Sequence, residues 1–283
     1  MSMTGTLETI VEDLGFIEGL RWHGGRLWYS DFGVRRVRSV DRTGVIRDEA
    51  WVPGQPSGLG FAPDGALMVI STHEGHLLRY KDGHHLIVAD IGAIYRGGLN
   101  DMLTMPDGRC YISAFPEPPI GEVTPPVPAD GGRVPLFLVE PDGKARIVAE
   151  NLKIPNGMVY DAETRTLLVA ESLGNRIVAF DMKDDGSLGP ERTYVDLGER
   201  WPDGISLDSR GRLWVSSLFT SEFIRIGRDG AIDEVVQVPG GGWAVTCAVG
   251  DSDDELWCAV VETTVEDFQQ GRAKGSIRLW RRS

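Results

Sequence analysis

Four side chains carry the chemistry open to this chain: Glu18, Asn100, Asn156 and Asp203. Each opens a short apolar run. Asn156-Gly157 would ordinarily mark a tight turn, since both residues tolerate positive φ. Here Met158–Tyr160 follows directly, and turn residues come only later, at Asp161–Arg165. Asn156 therefore stands at the entrance of a strand. Glu18 before Gly19-Leu20, Asn100 before Asp101-Met102 and Asp203 before Gly204-Ile205 share that syntax. Two carboxylates and two carboxamides form an all-oxygen set, which hard cations such as Ca²⁺ and Mg²⁺ prefer. Two acids also bring a divalent ion close to neutrality.

Bringing the four together requires a repeat fold. The first unit runs through Glu18–Trp22, a turn at His23–Gly25, then Arg26–Asp31 and Arg36–Val40. Later units open at Ser57, Asn100, Asn156, Asp203 and near Thr246. Most lie about 40–47 residues apart and one about 56, the length of a four-stranded propeller blade. The tryptophans of Arg26-Leu27-Trp28, Arg212-Leu213-Trp214 and Glu255-Leu256-Trp257 share one slot, which predicts packing between neighbouring blades. The expected fold is all-β, a single six-bladed β-propeller domain over residues 1–283. An unpaired edge invites aggregation, so Leu7–Leu14 is expected to supply the outer strand of the sixth blade. A propeller chain enters each blade beside the central channel. Glu18, Ser57 or Gly58, Asn100, Asn156, Asp203 and Thr246 are therefore expected to face one another across its mouth. Pro116–Gly132 departs from the repeat, between the second and third strands of blade three. It holds six prolines and reads as a lid or a solvent-facing insertion.

Phase separates signal from background. Pro-Asp-Gly occurs at Asp64, Asp107, Asp142 and Asp203. The first three fall between strands and read as turn residues. Asp203 precedes an innermost strand, and its blade turns later, at Ser209–Gly211. His23, His84 and His85 read as solvated turn residues. His73 and His76 lie near a strand end in blade two and lack a partner in the repeat phase. Cys110, Cys247 and Cys258 sit in apolar runs and read as buried thiols, not as a disulfide framework. The net charge of −13 disfavours nucleic acid and anionic membrane as partners. No apolar run approaches the ~18–20 residues of a membrane span. Met1–Ile10 lacks the basic-then-apolar pattern of a signal peptide, and the expected location is the cytoplasm. The signatures of serine hydrolases, zincins and P-loop proteins are absent.

With these residues in place the chain resembles the senescence marker protein/gluconolactonase/luciferin-regenerating enzyme family. The matching residues are Glu18-Gly19 ahead of Trp22, Leu99-Asn100-Asp101-Met102, Pro155-Asn156-Gly157 and Pro202-Asp203-Gly204, each in its expected blade. The resemblance implies one divalent metal in the channel, held by Glu18, Asn156 and Asp203. Asn100 would border it or, as in calcium-dependent phosphotriesterase relatives, ligate it. Calcium is the expected ion, with Mg, Mn and Zn as the other candidates. The implied activity is hydrolysis of a lactone, a small-molecule substrate, to its hydroxy acid. Asp203 is the expected catalytic base, with Asp101 as the alternative. Asn100, Asp101 and Arg96 are expected to contact substrate. Gly98 stands where sugar-lactone members carry an Arg, and Leu20 where a Pro often follows Glu-Gly. Both departures point away from gluconolactone itself, and the Pro116–Gly132 loop with the few evident hydroxyl-binding groups points toward a less polar substrate. Two other readings share the quartet: a phosphotriester hydrolase, and a non-catalytic binding propeller with a structural metal. The oligomeric state is left open.

Overall fold

The computed structural model describes residues 5–116 and 132–282. Short runs such as Leu67–Ser71, Cys110–Ala114 and Leu213–Ser217 are buried throughout. Outer strands alternate instead, as Ile232–Gln237 does, with only Val236 and Glu234 turned inward. A strand buried on both faces reads as a continuous apolar run, and a half-exposed strand alternates. Among the described residues the strands pair into six four-stranded antiparallel sheets, the expected six-bladed propeller. Blade 1 comprises Ile17–His23, Arg26–Asp31, Arg36–Val40 and Ile46–Trp51. The innermost strands of blades 2 to 6 are Pro56–Phe61, Leu99–Thr104, Pro155–Asp161, Pro202–Leu207 and Trp243–Val249.

Blade 6 is completed by the N-terminal segment. Gly5–Leu14 pairs antiparallel with Lys274–Arg282, Leu7 opposite Trp280. The closing strand thus begins two residues before the expected Leu7. The apolar core is divided into six clusters, each lying between two neighbouring blades. The tryptophans join blades as expected. Trp28 meets Phe61 edge-on at 5.0 Å, Trp214 meets Trp280 at 5.3 Å, and Trp257 stacks on Trp22 at 5.3 Å.

Two local features differ from the sequence reading. His84 and His85 are strand residues, opening His84–Asp90. The turn is the two-residue Asp82-Gly83, both at positive φ, which is the hairpin geometry that Asp-Gly favours. A short helix, Val265–Gln269, interrupts blade 6, and Thr264 caps it by accepting from Asp267 N. Residues 117–131 lie outside the described residues, and the expected lid with them. Cys110, Cys247 and Cys258 are buried free thiols. No helix among the described residues is long and apolar enough to cross a membrane.

Candidate functional site

Every innermost strand carries a register irregularity at its entrance. In blades 1 to 5 it falls between Glu18 and Arg21, Pro56 and Leu59, Leu99 and Met102, Pro155 and Met158, and Pro202 and Ile205. An extra residue there bends the strand and re-aims a side chain. Glu18, Ser57, Asn100, Asn156 and Asp203 occupy these bulges. In blade 6 the irregularity lies between Ala244 and Thr246, and Trp243 opposes Val261 as Pro202 opposes Ser217. Ala244, not Thr246, therefore holds the sixth position. The glycine run before Trp243 hides where that strand begins, and a slip of register moves every side chain.

The bulges pack against one another backbone to backbone. A Cβ on Gly58 would lie 2.4 Å from Met102 N, and one on Gly157 would lie 2.6 Å from Ile205 N. Buried serines on the adjoining strands bind the bulged backbone. Ser30 Oγ donates to Ser57 O, Ser113 Oγ accepts from Asp101 N, and Ser216 Oγ bridges Gly204 O and Val245 O. Ile154, two residues before Asn156, is held at a φ of 51°. That conformation is costly for a β-branched residue, and such strain gathers at functional sites.

The side chains converge. Ser57 Oγ donates to Glu18 Oε2 at 2.8 Å. Asn156 hydrogen-bonds Asp203, and its Nδ2 lies 3.4 Å from Ser172 Oγ. Asn100 is fully buried, with Nδ2 donating to Pro155 O at 3.3 Å. Burial pushes the Glu18 carboxyl up to about 7, against the Ser57 hydrogen bond, and the Asp101 charge adds to the rise. Burial likewise raises Asp203 well above the usual carboxylate range, helped by the charges of Glu18 and Asp101. Asp101 is itself neutralised. Arg21 Nη2 lies 3.0 Å from Asp101 Oδ1 and donates to Met102 O at 2.6 Å. Arg21 also lines a cavity of about 310 Å³ farther along the channel.

Arg21 and Ser172 were not legible as site residues, although Arg21 left a signal. It is a cation where the other units place Gly60, Leu103, Val159 and Ser206. Arg96 is exposed on the connection ahead of Leu99, apart from the cluster. His73 Nε2 lies 3.2 Å from Gln55 Oε1. Asp64, Asp107 and Asp142 each accept from the backbone N–H two residues on, the turn role expected of them. Asp203 makes no such turn and is buried. Clefts of 510 and 540 Å³ lie at the turns between blades 2 and 3 and between blades 1 and 2, away from these residues.

The donor set fits a hard divalent cation. The half-buried Glu18 lies close enough to the buried Asp203 for its charge to act on it, and the nearby Arg21 is committed to Asp101. Asn100 Oδ1 is buried without a hydrogen-bond partner, a cost that a bound cation would remove. Among the described residues no three His, Cys, Asp or Glu side chains gather around one point. The set is instead two acids with two amides.

Blade count and the position of these groups define a six-bladed propeller with its polar site at the channel mouth. The chain belongs to the SMP-30/Gluconolactonase/LRE-like family, whose model matches residues 16–265. It is 25% identical over 254 residues to pentonolactonase XacC of Haloferax volcanii, covering 83% of this chain and 82% of that protein. It is 23% identical to a 6-deoxy-6-sulfogluconolactonase of Pseudomonas putida, covering 80% and 76%. Among solved structures, a calcium-binding regucalcin from Agrobacterium tumefaciens superposes with a TM-score of 0.77 at 18% identity, covering 99% and 95%.

Proposed function

We propose that this protein hydrolyses a lactone to its hydroxy acid, with a divalent cation, calcium foremost, held by Glu18, Asn100, Asn156 and Asp203. The observation that carries the reading is the buried Asn100 Oδ1, left without a hydrogen-bond partner in the ring that also holds the buried Asp203 and the half-buried Glu18. The lactonase relatives support the reaction, and the calcium-binding neighbour supports the ion. When bound, the cation would polarise the lactone carbonyl and stabilise the developing oxyanion.

The remaining work falls to the protein. Asp203, buried and hydrogen-bonded by Asn156, takes a proton from the attacking water. The water oxygen bonds to the carbonyl carbon, the ring C–O bond breaks, and the departing alkoxide takes up the proton that Asp203 removed from the water. Asn156 orients Asp203, and Ser57 orients Glu18. Asp101 is the alternative, and its Oδ1 is already occupied, accepting from both Arg21 and Met102 N. Asn100, Asp101 and the exposed Arg96 are the residues proposed to contact substrate.

A pH-indicator assay over a lactone panel tests this, with and without chelator and with single metals restored. Chelator-sensitive turnover is expected. Asp203→Asn should lower it by about 10²–10⁴-fold, with residual cation binding followed by calorimetry. Background rates on every lactone from protein that holds a cation would sink the reading, and phosphotriester hydrolysis or ligand binding would take its place.

A further inference from the structure

The residue two before each bulge accepts a backbone hydrogen bond from the end of the adjoining strand. Phe16 accepts from Phe32, Gln55 from Thr72, Gly98 from Phe115, Ile154 from Ser172 and Trp201 from Leu218. These positions are therefore equivalent, and they form the next ring outward from Glu18, Ser57, Asn100, Asn156 and Asp203. The ring is lopsided. Blade 2 presents Gln55, Thr72 and the exposed His73. Blades 5, 6 and 1 present aromatic rings in unbroken contact. Trp201 meets Phe219 at 5.1 Å, Phe219 meets Trp243 at 5.2 Å, and Trp243 meets Phe16 at 6.5 Å.

Phe16 is backed by Phe32 at 5.1 Å and by Phe268 of the short helix at 4.7 Å, so the crescent is anchored. Phe16 and Trp243 pack on the core between blades 6 and 1. Trp201 and Phe219 belong to none of the six interblade cores, and Phe219 keeps 45% of its surface exposed. Exposed aromatic surface held rigid beside a polar pocket is the usual composition of a small-molecule site.

We propose that the substrate's ring carries an alkyl or aryl substituent seated against Trp201, Phe219 and Trp243. This rests on the lactone reading above. The carbonyl would sit at the Glu18–Asp203 pair, and the substituent would lie toward blades 5 and 6. A polyhydroxylated ring could lay only a C–H face on this wall, and any hydroxyl directed at an aromatic face would go without a partner, which costs affinity.

The test compares γ-nonalactone and dihydrocoumarin with glucono-δ-lactone, taking γ-butyrolactone as the unsubstituted reference. Wild type, Trp201→Ala, Trp201→Phe and Phe219→Ala are each assayed. The expected result is a higher kcat/KM on the two apolar lactones. Trp201→Ala and Phe219→Ala should each lower it by about ten-fold or more and leave γ-butyrolactone within about three-fold, while Trp201→Phe should keep most of the wild-type preference. Preference for glucono-δ-lactone, or an equal loss on every lactone, overturns the proposal while the lactone reading stands. Calorimetric binding of the unreactive 2-pentylcyclopentanone separates the two failures. Binding that Trp201→Ala abolishes, without turnover of any lactone, supports the aromatic seat and removes the lactone reading. Absence of binding in wild type overturns the seat.

Discussion

Glu18 and Asp203 are two carboxyl groups near enough that the charge of one opposes ionisation of the other, while Arg21 is spent on Asp101. The physical consequence is a stability that depends on pH. A carboxylate whose pKa is raised on folding binds more protons in the native than in the unfolded chain between its two pKa values. Its contribution is therefore full below the unfolded value and lost as pH rises through the folded one. For Glu18 the window runs from 4.5 to about 7. Chelator-extracted protein should be more stable near pH 5 than near pH 7.5 by about 1–3 kcal/mol, read as a higher melting temperature at the lower pH. Added Ca²⁺ should raise the melting temperature most at the higher pH, and Glu18→Gln should flatten the profile. Stability that rises across this window would show that the pair is not buried against itself. Glu18, Asn156 and Asp203 were legible because one functional type recurred in one phase of a repeat. Arg21 was not, since an isolated cation in a strand reads equally well as a surface residue until its partner 80 positions away is known.

At the scale of the element, the bulge is the working part. It occurs at every innermost strand entrance, and it requires neighbouring backbones to meet with nothing between them. Gly58→Ala would force a methyl against Met102 N and Asp101 Cα, at 2.4 and 2.6 Å, both main-chain atoms that cannot swing away. Urea unfolding should show a loss of about 2–4 kcal/mol, with the Asn100–Asp101 bulge displaced. Gly65→Ala is the control. Its Cβ meets nothing within 4 Å, and only its φ of 79° resists, so about 1 kcal/mol is expected. Equal losses would mean that chain conformation, not interblade contact, governs Gly58. The Xaa-Gly pattern was visible in the sequence, but the reason for glycine was not, because the atom that excludes a side chain belongs to the next blade.

The whole molecule is a closed ring of six sheets, and its closure depends on Gly5–Leu14. Without that strand, Lys274–Arg282 would present an open edge ending at Trp280, whose ring packs on Trp214. Deleting residues 1–14 should therefore give protein that elutes in size exclusion as oligomers or aggregate and melts earlier; a monomer of unchanged melting temperature would show that the ring holds without its closing strand. The sequence by itself determined the blade number, the closing strand and the phase that selects Asp203 from four Pro-Asp-Gly triplets. Each of these is periodic, and periodicity is local information. Tertiary structure alone decided that Ala244 replaces Thr246 in the sixth position, that Arg21 neutralises Asp101, and that Trp201, Phe219 and Trp243 form one wall. Those facts depend on strand register and on contacts between residues far apart in the chain, and neither leaves a repeating trace in the order of the amino acids.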